Sequence, residues 1–342
     1  MKNIITRAII VFAALITFVS CSNDYDINKD GGIRWVVEVD KTALIDSSNP
    51  DVEYEAAIQR TEQIIKTRLD NFCKEENTLF HKIKFNVKQS DEPGRIIIDL
   101  FPDKDYEAYQ RIKRLISTTG NLEFWETYYF DEINEYFDQA NAILAEKYET
   151  EDPLYSLLVP SYTEDGPIRI ARVGIINNWF DIDSINKLLE TTKGLNTFPG
   201  DMKLAWTALP EKNNGVEYFE LIALKMTNGG CALDGSVITD AKQVNENNGQ
   251  SAVQIQMNRE GTNIWKLFTR DNIGRQIAIT VDDYVFSYPV VNQEIEGGRC
   301  QIYSDGMTLE LAQDLANIIK NGKFPFRVNV LEENLVEPQQ AQ

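Results

Sequence analysis

Histidine is almost absent: His81 is the only one among 342 residues. That scarcity excludes most imidazole metal centres and most Ser-His or Cys-His catalysis, which need a ring nitrogen as ligand or base. Positive charge is also short. Thirty-four Lys and Arg face 53 Asp and Glu, for a net charge of −19. A surface of that sign cannot neutralise phosphates, so nucleic acid is excluded as a partner. The sequence has no G-x-G-x-x-G, P-loop or H-E-x-x-H, so no cofactor is expected. Beyond residue 20 no apolar run approaches the ~20 residues that a spanning helix needs. What remains is 43% hydrophobic and 25% charged, ordinary for a folded chain. The length suggests two or three units.

The amino terminus reads as an address. Lys2 and Arg7 precede an apolar run from Ala8 to Val19, and Ser20-Cys21 ends it before the polar stretch Ser22 to Asp26. A positive start, a short apolar core and a small residue before cleavage describe a secretory signal over residues 1–20. Phe18-Val19-Ser20-Cys21 is similar to a bacterial lipobox, with Phe in place of the usual Leu. The resemblance implies cleavage before Cys21, diacylation of its thiol and a tether over 21–29. A plain signal peptide with an incidental cysteine is the other reading. Cleavage removes Lys2 and Arg7, two of the 34 basic residues, and leaves −21. The protein would then sit in the cell envelope facing the periplasm, held by its lipid. Ser22 suits the outer membrane over the inner, and surface exposure stays open. Cys73, Cys231 and Cys300 are an odd number, so an oxidising compartment leaves at least one free thiol. Pairing of Cys231 with Cys300 is left open.

The body alternates strands and helices. Gly31-Gly32 opens a strand to Asp40, and residues 52–72 have helical spacing. Strands follow over 83–87 and 95–101, a helix over 103–117 and a strand over 122–128. That order, βαββαβ, is ferredoxin-like. The expected fold is therefore α+β: a ferredoxin-like base over 30–130, completed by 326–336, with an α+β head inserted over 131–325. Residues 337–342 form a polar, frayed tail.

A specific resemblance is carried by the last hundred residues. Leu233-Asp234-Gly235 precedes Val237-Ile238-Thr239-Asp240-Ala241. Asn272 to Ile279 then leads through Asp282 to Val285-Phe286-Ser287-Tyr288-Pro289-Val290-Val291. Gly297-Gly298, Thr308 to Asn317 and Lys320-Asn321-Gly322 complete the set. With the Gly31-Gly32 strand and Leu122-Glu123-Phe124, these stretches resemble the first periplasmic domain of the SecD/SecDF protein-export family, in order over residues 30–338. The resemblance implies a base and a head, and partners among translocating proteins and Sec-type components. The family's transmembrane bundle has no counterpart before Gln342, so a free-standing periplasmic domain, with no proton-driven motion of its own, is the expectation. Read without the family, Gly274, Gly298 and Gly322 are turn and helix-end residues, and Ala312, Leu315 and Ala316 are a packing face.

No catalytic or metal constellation emerges, so no enzyme is expected. Cys73 and His81 read as ordinary structural residues. Asp181/Asp183 and Asp282-Asp283 lack calcium-loop spacing and read as caps and turns. The functional expectation is a non-enzymatic, lipid-anchored accessory of protein export that binds emerging or unfolded chains or envelope partners. The alternative is a structural or small-ligand-binding lipoprotein without an export role. Candidate client contacts are Trp265, Phe286 and Tyr288, each also readable as core. Candidate hinges are the two chain crossings, Phe130-Asp131 and Lys323-Pro325.

Overall fold

The computed structural model describes residues 25–42, 50–76, 83–101, 106–193, 195, 197–246 and 249–338. Cys21, the signal segment and His81 lie outside these residues. In chain order the main elements are β1 (Gly32–Val39), α1 (Pro50–Glu76), β2 (Lys84–Gln89), β3 (Arg95–Phe101), α2 (Tyr106–Ser117), β4 (Leu122–Thr127) and α3 (Phe130–Tyr148). Then come β5 (Arg172–Ile176), α4 (Asp181–Lys193), β6 (Met202–Trp206), β7 (Val216–Lys225), β8 (Ile238–Asn245), β9 (Ser251–Met257) and α5 (Arg259–Asp271). The chain closes with β10 (Ile277–Val281), β11 (Tyr284–Ser287), β12 (Arg299–Ile302), α6 (Leu309–Asn321) and β13 (Val328–Val336).

The base is a four-stranded antiparallel sheet in the order β13-β1-β3-β2. Alternation in β1 buries Trp35, Val37 and Val39, and β3 buries Ile96, Ile98 and Leu100. The apolar stripe of α1, Ile58, Ile65, Leu69 and Phe72, closes over that face with Ile112, Leu115 and Ile116 of α2. The base thus has the βαββαβ order, with one difference from the sequence reading. Its last strand is β13, paired to β1 from Gly32↔Val336 to Val39↔Val328. The expected fourth strand, β4, leaves the base: it pairs with β10 from Leu122↔Val281 to Ile277↔Glu126, and with β7 at Thr127↔Leu224. The period-2 signal in Leu122 to Thr127 is genuine, but periodicity marks a strand and not its sheet. Hydrophobics on both faces of β4, Phe124 on one and Trp125 on the other, suit a strand buried inside a large sheet.

Among the described residues, the rest of the chain forms a head of two main sheets and a small two-stranded one, Tyr162–Thr163 with Gly166–Pro167. The larger runs β11-β10-β4-β7-β5, extended by short strands and by β6 beside β7. The smaller runs β8-β9-β12. Cys231 of the head, Cys300 of β12 and Cys73 of the base are all free thiols. Helix α6 joins head and base. Its N-cap Thr308 accepts from the Leu311 amide, and its Ala312, Leu315, Ala316 and Ile319 pack in the head core. Ile318, on the other side, packs in the base core. Asp314 of α6, 1% exposed, takes Arg111 at 2.9–3.0 Å and Arg114 at 2.6–3.0 Å, both from α2. Burial holds this carboxyl above its ordinary pKa even against two guanidiniums.

Candidate functional site: the cleft between base and head

The chain crosses between base and head twice, over Thr118–Asn121 between α2 and β4, and over Gly322–Arg327 between α6 and β13. Beside these crossings lies a cleft of about 910 Å³. Its base wall is built from Asp40, Ser117 and Phe326, and its head wall from Trp179, Tyr284 and Phe286. The tight turn Asp282-Asp283 joins β10 to β11, both residues left-handed, and sends Tyr284 and Phe286 along the cleft. Trp179 precedes α4. Its ring lies 4.7 Å from Phe219, edge to face, and stacks toward Tyr284 at 6.3 Å and 26°. Trp179 is 43% exposed, and Phe180 beside it is 85% exposed. Isolated exposed aromatics need no explanation, but a row of them lining a cleft marks a surface for apolar groups.

The charges of the cleft are mostly occupied. Arg114 is on Asp314, Lys203 reaches Asp283 at 2.6 Å, and Lys323 lies 3.2 Å from the Asn121 side-chain oxygen. The mixture favours neither sign of ligand. Among the described residues no group of three or more His, Cys, Asp or Glu is placed to hold a metal.

The sequence candidates separate. Phe286 lines the cleft and packs on the head core. Trp265 does not reach it: at 1% exposure it fills the core of the smaller head sheet, 5.2 Å from Phe124. Its spacing on α5, with Phe268 one turn on, is that of a packing stripe. Tyr288 lies in the larger sheet's other core, and its hydroxyl donates to Glu220. Burial first, then the Glu220 charge, lifts its pKa well above the ordinary range. Phe130, fully buried, begins α3 inside the head, and Asp131 pairs with Arg169 at 2.9 Å. The first crossing is therefore at Thr118–Asn121 rather than Phe130-Asp131, because β4 belongs to the head. Lys323 and Pro325 do lie on the second crossing and line the cleft.

Two residues organise the crossings: Arg68, which the sequence reading does not single out, and Asp282, which it reads only as a turn residue. Arg68 of α1 is fully buried, yet it occupies the apolar stripe between Ile64 and Phe72. Its guanidinium donates to the carbonyls of Leu115, Thr118, Thr119 and Gly322 at 2.6–3.1 Å and lies 4.2 Å from the Phe324 ring centroid. Burial pulls its pKa down to about 9, with the Asp282 charge opposing. Asp282, from the head, accepts the amides of Thr119, Gly120 and Asn121 at 2.6–2.9 Å. A charged residue four positions from apolar neighbours on both sides was the available signal for Arg68.

The fold and site define an α+β domain with two joined bodies and an aromatic-lined cleft between them. Comparison with known proteins shows what the chain is similar to. The family model for the SecDF P1 head subdomain matches residues 222–326. The protein translocase subunit SecD of Rhodothermus marinus is 29% identical over 328 residues, 85% of this chain and 49% of that protein. SecD of Borreliella burgdorferi is 23% identical over 316 residues, 91% of this chain and 45% of that protein. A solved structure of SecDF, described as a membrane component that enhances protein export, aligns with 87% of this chain and 98% of its own at a TM-score of 0.45 and 19% identity. The chain is similar to SecD proteins over most of its length, and its residues 222–326 match the SecDF P1 head subdomain. It spans about half the length of the two long curated relatives. Among the described residues no helix is long and apolar enough to cross a membrane.

Proposed function

We propose that this chain is a non-enzymatic accessory of protein export that holds emerging or unfolded chains in the cleft between base and head. The observation that carries the reading is the aromatic wall of Trp179, Tyr284 and Phe286, part-exposed and set beside the two chain crossings described above. Unfolded chains expose apolar side chains of no fixed order, and rigid rings bind such groups at low entropic cost. The likeness to protein translocase subunits supports it. Lipidation at Cys21 would hold the domain at the envelope membrane, the outer one by the Ser22 rule, and place the cleft among translocating or other envelope proteins.

Binding of a reduced, unfolded secretory protein to the mature chain is expected to be weak and indifferent to ATP and divalent ions. Trp179→Asp or Phe286→Asp should weaken it about tenfold, equivalent to about 1.4 kcal/mol. Leu267→Asp, at an exposed residue outside the cleft, should leave it unchanged. Equal loss in all three variants, or a small apolar ligand that fills the cleft while chains do not bind, would favour the ligand-binding alternative. Anchoring is checked separately: Cys21→Ser should release the protein from membranes, and a processed variant that stays bound would end the lipoprotein reading.

A further inference from the structure

The first crossing is gripped from both bodies at once. Arg68 of the base donates to the Thr118 carbonyl at 2.6 Å, and the amide on the other end of that same peptide group, Thr119 N–H, donates to Asp282 of the head at 2.6 Å. The next peptide group repeats the pattern. Its Thr119 carbonyl takes Arg68 at 3.1 Å, and its Gly120 N–H reaches Asp282 at 2.9 Å. In a trans peptide the carbonyl and the N–H point in opposite directions. A cation therefore sits at the negative pole of two consecutive peptide dipoles and a carboxylate at their positive pole. Each dipole is about 3.5 D, and hydrogen bonds to ions are about twice as strong as neutral ones.

The second crossing joins the same grip. Arg68 also holds the Gly322 carbonyl at 2.9 Å, and the Phe324 amide donates to the Thr119 carbonyl at 2.9 Å. Gly120 is what lets the connector lie this close. It has φ +85°, and a Cβ there would come within 2.8 Å of both the Arg68 guanidinium and Ile318.

We propose that Arg68 and Asp282 form a latch, an ion pair relayed through two connector peptides, which ties both crossings together and holds the cleft at one opening. The proposal rests on the cleft being the working site, since Thr118, Thr119, Asp282 and Phe324 all line it. A chain lying in the cleft touches the latch residues themselves. It can shift the opening only by binding one latch state more tightly than the other.

The test uses the full mature chain without a client, so that its outcome is independent of whether unfolded chains bind. Arg68→Met removes the donors and keeps the length. Asp282→Asn removes the charge and tolerates the left-handed backbone. The amides of Thr119, Gly120 and Asn121 should exchange at least about tenfold faster in either variant, and the double variant should be no faster than the faster single. Spin labels at exposed Glu55 of the base and Glu190 of the head should show a broadened distance distribution in each. Unchanged exchange, additive effects of the two substitutions, or a distribution as narrow as that of the unaltered chain would each overturn the latch. Should Arg68→Met fail to fold, Arg68→Lys with Asp282→Asn carries the same comparison.

Discussion

Replacing Asp314 by alanine is expected to lower the unfolding free energy by about 3–5 kcal/mol, because it breaks the buried charge network in which this carboxylate takes Arg111 and Arg114. Arg111 is 5% exposed and points at Asp314 from α2. It also lies 3.3 Å from the Gln313 side-chain oxygen and 4.8 Å from the face of Phe72. Burial already works against the Asp314 carboxylate, so the network is not a large net gain over apolar packing. A combined replacement of Asp314 by Leu and Arg111 by Met should consequently recover most of the loss. Urea unfolding of the two variants checks this through the midpoint at constant slope. A near-neutral Asp314→Ala would mean that α6 does not bind head and base through this contact.

Trp265→Ala should be comparably severe, about 3–5 kcal/mol, through lost burial and a cavity. The indole is enclosed between Phe124 and Phe268, and its N–H has no acceptor among the described residues. Trp265→Phe keeps most of the apolar volume and removes the unsatisfied donor, so it should cost under about 1.5 kcal/mol. Thermal or denaturant unfolding distinguishes this packing role from a client contact. A Trp265→Ala chain of native stability with weakened client binding would restore Trp265 to the binding surface.

How much was legible in the sequence follows from what each signal encodes. The α6 stripe of Ala312, Leu315, Ala316 and Ile319 is a local pattern, and the helix lies over Leu309–Asn321 where that pattern puts it. Leu122 to Thr127 is equally plain as a strand, yet its partners, Ile277–Val281 and Val216–Lys225, are about a hundred residues or more away. Local alternation carries no information about such pairing, and the first crossing was misplaced for that reason. Strands Arg172–Ile176 and Ile238–Asn245 carry no clear strand signal, because charged and small residues break their alternation. Of the aromatic candidates, composition could not separate Phe286 at the cleft from Trp265 in the core. Both are large rings on amphipathic elements, and only the tertiary packing of α5 beneath β4 decides between them. The sequence marks Asp282 as a turn residue, which it is. Its reach to the Thr119–Asn121 amides depends on β10 lying beside β4.

The most direct test of the central claim is site-specific photo-crosslinking to an unfolded secretory chain. Photoreactive side chains would be placed at Trp179 and Phe286 in the cleft, and at Leu267 and Ile273, which are exposed apolar positions outside it. The expected result is client adducts at Trp179 and Phe286, with little at Leu267 and Ile273. Equal labelling at all four positions, or labelling confined to Leu267 and Ile273, would contradict the cleft as the place where chains are held.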